Sequence, residues 1–138
     1  MDTKLKDLID KKVNKIFLNS EYLKFETSDG DFTYRVGGDC CSSSYFHDFF
    51  GVEALLNGKK ITEIKEVELS VPEQLIAQDA LAVYGFQINF ESDRWGDRTA
   101  VFSFRNSSNG YYGGYIEKVD NLEVLPEIKN DVLEVKDV

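Results

Sequence analysis

The stretch from Val13 to Val36, VNKIFLNSEYLKFETSDGDFTYRV, alternates apolar and polar residues in three successive runs. Alternation with a period of two is typical of strands that bury one face. The segment Ser28–Asp31 contains an Asp-Gly step between the second and third runs, which favours a tight hairpin turn. We therefore predict a three-stranded antiparallel meander with strands at Val13–Leu18, Tyr22–Thr27 and Phe32–Val36.

The residues before this meander have the spacing of a helix. Leu5, Leu8 and Ile9 fall at positions i, i+3 and i+4, which places them on one helical face. Thr3 precedes them and is a residue type that caps helix N-termini. We predict a short N-terminal helix whose apolar face covers the sheet.

A second helix is predicted in the aromatic segment Tyr45–Leu56. Its apolar residues are dense and follow a roughly helical spacing. Ser43 and Ser44 are both candidate N-terminal caps, and Asn57-Gly58 is a typical stop signal. The sequence thus indicates two short helices in all.

Further strands follow in the second half of the chain. We predict them at Ile61–Leu69, where the irregular period indicates a bulge, and at Ala80–Phe90, Thr99–Arg105 and Tyr115–Val119. Ser70–Asp79 is predicted to be a loop, and we expect the acidic residues 120–138 to form either an edge strand or an interface. The whole chain, residues 1–138, is predicted to be one α+β domain in which two short helices cover an antiparallel, partly meander sheet.

The amino-acid composition limits the binding partners and the cellular compartment that we expect for this protein. The formal net charge is −9, and attraction to a nucleic-acid backbone needs a surplus of Lys and Arg, so we expect no binding of DNA or RNA. No stretch approaches the roughly 20 apolar residues of a membrane helix, and the N-terminal residues lack an apolar signal region. We expect no membrane association and a cytoplasmic location. The adjacent cysteines Cys40 and Cys41 cannot form an ordinary disulfide, which fits a reducing compartment.

The first candidate site is the segment Gly37–Ser44, GGDCCSSS, which we place between a strand and a helix. Small residues there let backbone N–H groups point at a ligand, and a helix N-terminus attracts anions. The candidate ligand-binding residues of this segment are Asp39, Cys41 and Ser42. The alternative is a capped strand-to-helix turn with two buried thiols and no ligand.

Catalysis and metal binding by this segment are not expected. Adjacent thiols such as those of Cys40 and Cys41 rarely reach one tetrahedral zinc ion, and His47 is the single histidine of the chain. We expect His47 to pack within the aromatic helix. The prediction is therefore no catalytic residue, no metal site, no cofactor and no enzymatic activity, with a Cys–His nucleophile as the least favoured alternative.

The second candidate site is the segment Phe104–Tyr115, FRNSSNGYYGGY. Its Asn-Gly and Gly-Gly steps supply positions that tolerate positive φ, while its tyrosines supply flat faces and hydroxyl groups. A nucleobase or a sugar suits such a surface, and the candidate ligand-binding residues are Asn106, Asn109, Tyr111 and Tyr112. The alternative is a hairpin whose tyrosines simply pack on the sheet.

Arginines are few and unevenly placed. The chain has only four of them, Arg35, Arg94, Arg98 and Arg105. The last three fall within twelve residues, close to Trp95, and guanidinium groups are preferred partners of phosphate that also stack on bases. We therefore predict a pocket for a phosphorylated ligand and include all four arginines among its candidates. The alternative is that Arg94 and Arg98 pair with nearby acids on a surface hairpin and contribute little.

Taken together, these segments resemble a family of small phage and prophage proteins that includes the first described class of anti-Thoeris proteins. The resemblance rests on the lysine-rich first helix, the Gly-Asp-Cys-Cys-Ser segment, the aromatic segment after it and the late Phe-Arg-Asn-Ser-Ser-Asn-Gly-Tyr-Tyr-Gly-Gly segment. It implies a molecular sponge that binds a cyclic ADP-ribose isomer made by a bacterial TIR immune enzyme and holds it without cleaving it. It also implies a homo-oligomer, a dimer or larger, with further sites for cyclic oligonucleotides, acting in the cytoplasm of the host cell as a phage counter-defence protein.

A different function class remains open beside the sponge. A strongly acidic surface can occupy a basic bacterial protein, in the manner of an acidic anti-CRISPR-like inhibitor. Such a complex would weaken strongly as salt is added, because the attraction acts between exposed charges. The two hypotheses differ in the ligand, which is a small molecule for the sponge and a protein for the inhibitor.

Overall fold

A computed structural model describes residues 3–38, 42–69, 80–96, 98–108, 113–120 and 123–137. The strands found in these residues are β1 (Val13–Leu18), β2 (Tyr22–Thr27), β3 (Gly30–Gly38), β4 (Ser43–Phe50), β5 (Ile61–Val67), β6 (Ala80–Phe90), β7 (Thr99–Ser108), β8 (Gly114–Val119) and β9 (Glu127–Ile128). The helical elements among the described residues are α1 (Val52–Asn57) and two short 3-10 helices, Leu5–Leu8 and Val135–Asp137.

The first sheet has five strands in the order β8-β3-β2-β1-β9, and its neighbouring strands are antiparallel. The predicted meander is confirmed, because β2 pairs with both β1 and β3. The turn between β2 and β3 ends at Gly30, whose φ of 118° is readily adopted only by glycine. The short strand β9 lies at the far edge, where Ile128 is opposite Ile16.

The second sheet has four antiparallel strands in the order β4-β7-β6-β5. Strands β6 and β7 are the longest, and they pair without interruption from Ala80 opposite Ser108 to Asn89 opposite Thr99. The bulge predicted in β5 is confirmed by a register shift between Ile61 and Glu63. Strand β4 forms one edge of this sheet, which matters below because both candidate segments reach it.

The two sheets share one aromatic core. The rings of Phe25 from the first sheet and Phe49 from the second lie 6.2 Å apart in an edge-to-face arrangement. Within the second sheet, Phe102 stacks on Phe86 with ring centroids 5.4 Å apart. Phe25, Phe49 and Phe102 are fully buried, and aromatic pairs of this kind add about 0.5–1.5 kcal/mol each beyond their area of burial. A single core therefore holds both sheets together.

The α+β prediction is wrong. Within the described residues the protein is mostly β, built from two antiparallel sheets, and no helix reaches seven residues. The predicted cover of two short helices over one sheet is replaced by a second sheet that packs on the first. No helix in this part of the chain is long and apolar enough to cross a membrane.

The aromatic segment explains most of this error. The helix predicted at Tyr45–Leu56 is a strand up to Phe50, and only Val52–Asn57 is helical, ending at Gly58 as predicted. Phe46 and Phe49 are both buried because a bulge between Phe46 and Asp48 shifts the alternation of the strand. A bulge adds one residue to one strand, so it turns the i, i+2 spacing of inward residues into an i, i+3 spacing that imitates a helix.

The N-terminal helix is also shorter than predicted. Leu5–Leu8 forms a 3-10 helix of a single turn, although its leucines are buried as expected. Lys4 and Asp10 flank it with φ values of 61° and 70°, and left-handed residues cannot continue a right-handed helix. The Oγ1 atom of Thr3 accepts a hydrogen bond from the N–H of Leu5 at 3.1 Å, so this residue caps a turn rather than a helix.

The acidic C-terminal segment belongs to the fold. Beyond β9, Val132 exchanges two backbone hydrogen bonds of 2.9 Å with Phe49, which covers part of the free edge of β4. The carboxylate of Asp131 accepts hydrogen bonds from the N–H groups of Gly51 and Val52, at 2.9 and 3.0 Å. It therefore caps the first turn of α1, a role that neither serine before the helix performs.

Candidate functional site

The two candidate segments meet at one end of the molecule. Strand β3 ends with Gly38 opposite Gly114 of β8, and the second residue of β4, Ser44, is opposite Asn106 of β7. Strand pairing therefore brings the end of the first segment and the middle of the second into contact. We call this region, defined by Gly38, Ser44, Asn106 and Gly114, the motif end.

Asn106 lies at the centre of the motif end and is 1% exposed. The hydroxyl group of Ser44 donates a hydrogen bond of 2.8 Å to its Oδ1 atom. A Cβ atom added to Gly38 would lie 2.9 Å from this oxygen and would also collide with Ser42, and one added to Gly114 would lie 3.0 Å from the Cβ of Asn106. The glycines of both segments are therefore needed for close packing around a buried amide.

A tyrosine that the sequence analysis did not single out completes this packing. The hydroxyl oxygen of Tyr84 accepts a hydrogen bond from the N–H of Gly114 at 3.2 Å. Its ring stacks on Phe104 with centroids 4.7 Å apart. Tyr84 thus fixes the start of β8 against the second sheet. The residues around Tyr84, including Gly85, do not indicate this role. The contact with Gly114 depends on pairing between segments that are distant in the sequence.

Arg105 projects from the outer face of the second sheet close to the motif end. It is directly opposite Tyr45 of β4 and Val83 of β6, so the three side chains share that face. Its Nε atom is buried without a hydrogen-bond acceptor. Within the described part of the chain, no carboxylate lies within 4.0 Å of this guanidinium group. A buried donor of a charged group left unpaired costs about 1–3 kcal/mol, so an anionic acceptor would stabilise this side chain.

A cleft of about 380 Å³ opens beside the edge strand β4, between the turn after β1 and the C-terminal segment. Its floor is apolar and consists of Leu18, Phe46, Pro126 and Val135. Its polar wall consists of Asn19, Ser20, Tyr45, His47, Glu134 and Lys136. We call it the β4 cleft. Its volume lies within the range of about 300–1,000 Å³ that is usual for small-molecule sites.

His47 lines the β4 cleft and has a pKa that its surroundings lower. Burial lowers its pKa below the ordinary value for histidine, and the positive charge of Arg105 lowers this pKa further. The negative charges of Asp48 and Glu134 act in the opposite direction without reversing the shift. Because the pKa is lowered, His47 is mainly neutral at pH 7, when one ring nitrogen donates and the other accepts. Its predicted packing inside a helix is wrong, since it lies in the bulge of a strand.

The other predicted arginines lie elsewhere. Arg35 projects from β3 in the first sheet and pairs with Glu117 of β8 at 2.9 Å. Arg94 and Arg98 lie between β6 and β7, in a region that we call the hairpin end and define by its described residues, 91–96 and 98. Arg98 precedes β7 whereas Arg105 comes near its finish, and seven residues of strand span about 23 Å. The arginines close in sequence are thus not brought together in space.

Arg94 and Arg98 also have different surroundings from Arg105. Both are exposed, and Arg94 lies in a shallow depression with Glu53 and Asp131. Among the described residues neither arginine forms an ion pair with Glu91 or Asp93, so the expected pairing with these acids is not found there. Asp93 pairs instead with Lys59, at 2.9 Å.

Several predicted site residues fall outside the described part of the chain. They are Asp39, Cys41, Asn109, Tyr111 and Tyr112. Ser42 and Asn106 are described, and both lie at the motif end. Among the described residues, no group of three histidine, cysteine, aspartate or glutamate side chains is placed to hold a metal ion.

Comparison with known proteins places the chain in a family without assigning it an activity. Residues 6–118 match the family described as a domain of unknown function, DUF7448. The chain is also 31% identical over 114 residues to the uncharacterized protein L278 of Acanthamoeba polyphaga mimivirus, an alignment that covers 77% of this chain and 85% of that protein. No solved structure matches it. The match over most of its length shows that the chain belongs to the DUF7448 family.

Proposed function

We propose that this protein is a phage counter-defence sponge that binds a cyclic nucleotide immune signal in the host cytoplasm and holds it without cleaving it. The single observation that supports this most is Arg105, a partly buried guanidinium group whose Nε atom has no acceptor. Arg35 also has a buried Nε atom without an acceptor, but its Nη2 atom pairs with Glu117 at 2.9 Å, whereas Arg105 has no carboxylate within 4.0 Å in the described part of the chain. Guanidinium groups bind phosphate in a fixed fork geometry, so a phosphorylated ligand is the natural acceptor.

The surroundings of Arg105 suit the rest of a nucleotide. Tyr45 lies directly across from it and lines the β4 cleft, so an aromatic face adjoins the cation. Bases stack on aromatic faces with an energy of about 1–3 kcal/mol each. The motif end beside them is held rigid by the packing of Asn106, and a rigid site loses less entropy when a ligand binds. A phosphate on Arg105 and a base against Tyr45 would together give tight binding with no chemical step.

The resemblance to anti-Thoeris sponges supports a cyclic ADP-ribose isomer as the ligand, with cyclic oligonucleotides as further candidates. A relative encoded by a virus fits a viral role for this chain. A sponge acts by mass action, so its benefit to a phage depends on affinity and on the amount of protein rather than on turnover.

The decisive experiment is mass spectrometry of small molecules released by heat from the protein. The protein is first incubated with lysate of cells that contain an activated TIR or cyclase immune enzyme. Recovery of an intact cyclic nucleotide from the wild type but not from Arg105→Ala would support the proposal, and Arg98→Ala is the matched control that should retain the ligand. An empty wild-type protein in lysate that contains the signal would refute it.

A protein-binding inhibitor is the second candidate, and the hairpin end favours it. Trp95 is 94% exposed there, beside Asp93, whose side chain is 84% exposed. An exposed tryptophan close in sequence to an exposed carboxylate is a suitable anchor for a basic protein surface. If this function is correct, Trp95→Ala should abolish a complex with a basic bacterial protein in a pull-down with purified partner, and added salt should weaken that complex.

We also propose that the protein forms a homo-oligomer, a dimer or larger. Leu133 is 68% exposed and Phe50 is 39% exposed, and backbone pairing between Phe49 and Val132 places them on neighbouring segments. Exposed apolar groups of this size that lie close together often mark a contact surface. Analytical ultracentrifugation of the wild type and Leu133→Asp tests this, because a charge at the contact should shift the species to lower mass.

A further inference from the structure

The charges of the β4 cleft cancel. Glu134 and Lys136 both line it, and they form an ion pair of 3.3 Å. A charged ligand gains little from such a lining, whereas an uncharged ring is not repelled by a chain of net charge −9. We propose that the β4 cleft binds an uncharged, planar ring with hydrogen-bonding edges, and that in the sponge it holds a purine base of the ligand. The choice of a purine rests on the proposed function, and the inference deepens that function by naming the groups that meet the base.

The edge of β4 beside the cleft is closed to an added strand. The N–H of Phe46 donates to the carbonyl oxygen of Ser20 at 2.8 Å, and Phe49 exchanges two backbone hydrogen bonds with Val132. A peptide that extended the sheet would need these backbone groups for itself. The cleft has a volume of about 380 Å³, at the low end of the range for small-molecule sites. Its occupant is therefore a compact molecule rather than an extended peptide.

The floor of the cleft is apolar and is assembled from three parts of the fold. Leu18 comes from β1, Phe46 from β4, and Pro126 and Val135 from the C-terminal segment. The N–H of Leu18 donates to the carbonyl oxygen of Pro126 at 3.0 Å, which holds two of these parts together. A flat ring can thus bury apolar surface here without first ordering the site. Tyr45 adds an aromatic face to the wall, on which a base can stack.

Asn19 supplies a donor whose orientation is fixed. Its Oδ1 atom accepts hydrogen bonds from the N–H groups of Glu21 and Tyr22, at 2.9 and 2.7 Å. These two bonds orient the side-chain amide and leave the protons on its Nδ2 atom as donors. Because Asn19 lines the cleft, this donor is available to a ligand.

His47 and Tyr45 supply the remaining polar groups. The bulge between Phe46 and Asp48 leaves His47 without a partner residue on β7, and its side chain lines the cleft. A neutral imidazole has one donor and one acceptor nitrogen, and the lowered pKa of His47 keeps it mainly neutral at pH 7. Among the described residues, the side chains of Tyr45 and His47 have no hydrogen-bond partner. The edge of a purine base has both donors and acceptors, so it complements these groups.

The single histidine makes the proposal directly measurable. The ring signals of His47 are followed by NMR at about pH 7.5, while adenosine, an uncharged purine nucleoside, is added to the protein. We expect a saturable shift with adenosine and no shift with ribose 5-phosphate, which has a phosphate group but no base. The affinity for adenosine should change by less than about twofold between about 0.1 and 1 M sodium chloride, because neither the ring nor the cleft has a net charge.

Two variants and a matched control test the named groups by isothermal titration calorimetry with adenosine. Tyr45→Ala should weaken binding about tenfold, because it removes a stacking face. His47→Leu keeps an apolar side chain without hydrogen-bonding groups and should also weaken binding about tenfold. Tyr115→Ala is the control and should bind as the wild type does, because this half-buried tyrosine packs against Gly37 and is not part of the cleft.

Three results would overturn the inference. One is a wild-type protein whose His47 signals do not move up to the solubility limit of adenosine. Another is a shift of equal size with ribose 5-phosphate, because the cleft would then recognise the charged group. The third is an equal loss of affinity in Tyr45→Ala and Tyr115→Ala. The first two results use only the wild type, so they hold even if a variant fails to fold by circular dichroism.

This test and the test of the proposed function fail separately. A protein that retains a cyclic nucleotide from lysate while His47 ignores adenosine keeps the sponge function and refutes the base site in the β4 cleft. A protein that binds adenosine in the cleft but retains no nucleotide from lysate has the ring site and a different physiological ligand.

Discussion

Strand β7 has arginine near both of its ends, in opposite environments. At the motif end, Arg105 is partly buried and no carboxylate among the described residues lies within 4.0 Å of it. At the hairpin end, Arg98 is exposed and Arg94 lies beside Glu53 and Asp131. Neither Arg94 nor Arg98 has a carboxylate within 4.0 Å in the described part of the chain, so burial is what distinguishes Arg105 and favours it as a partner for a ligand.

The largest effect expected from this difference is on ligand affinity. Arg105→Ala should weaken binding of the cyclic nucleotide about 100-fold, or about 2.7 kcal/mol, because it removes a charged group in a partly dry site. Arg98→Ala should change affinity by less than about twofold, since exposed charges interact weakly through solvent. Isothermal titration calorimetry with both variants measures this, and equal losses would remove the distinction between the two ends.

Two asparagines of the second sheet extend the comparison of the two ends to the free energy of unfolding. Asn106→Ala should lower the free energy of unfolding by about 2 kcal/mol, since it leaves a cavity at a buried position and removes the acceptor of the partly buried hydroxyl group of Ser44. Asn89→Ala, close to the hairpin end of β6, should cost less than about 1 kcal/mol, because its partners Glu63, Gln87 and Thr99 can bind water instead. Urea denaturation followed by circular dichroism tests this pair. A cost for Asn89→Ala as large as that for Asn106→Ala would contradict the argument.

Aromatic residues at the motif end and the hairpin end should differ less in their contribution to stability. Tyr84→Phe removes the acceptor for the N–H of Gly114 but keeps the ring stack on Phe104, so we expect a loss of about 1 kcal/mol. Trp95→Phe should change stability by less than about 0.5 kcal/mol, because this side chain is almost fully exposed. Thermal unfolding of both variants is the measurement, and a large loss for Trp95→Phe would mean that the hairpin end is packed against another surface.

The smallest expected effect is the pH dependence that His47 adds to stability. Its folded pKa lies below the unfolded value of about 6.5, so the unfolded chain binds more protons between these two pKa values. Stability should therefore rise with pH through that window and level off above about pH 7. Urea denaturation of wild type and His47→Gln at a series of pH values isolates this contribution. A wild-type curve parallel to that of the variant would show that folding leaves the pKa of His47 unchanged.

Strands with a simple alternation could be predicted from the sequence. The meander β1-β2-β3 has inward and outward residues at a regular period and a glycine at its hairpin, so local information is sufficient. Strand β4 was missed because its bulge places Phe46 and Phe49 three residues apart, and a window of sequence cannot tell a bulged strand from a helix. The other three strands of the second sheet are predicted, but a helix predicted in place of β4 leaves them in a single sheet covered by helices, and the predicted fold class is wrong for that reason.

The candidate site was predictable only in part, for a similar reason. Asn106 and Ser42 were singled out by composition, and strand pairing does place them at the motif end. Arg94 and Arg98 were grouped with Arg105 by sequence distance, but an extended strand separates residues by about 3.3 Å per step. Tyr45 lies opposite Arg105 only through the pairing of β4 with β7, which is a contact between distant segments.

The edge strand β9 has a consequence for how the protein folds. Ile16 near the start of the chain pairs with Ile128 near its finish, and Val132 closes the edge of β4. Closing the long loop between such distant residues costs conformational entropy before the contact can stabilise the fold. Folding is therefore expected in the range of milliseconds to seconds. On the ribosome the first sheet can be completed only after β9 has emerged, although the strands of the second sheet all precede it. Until that moment the edges of β1 and β4 are open to pairing with other nascent chains, so synthesis at high level favours aggregation.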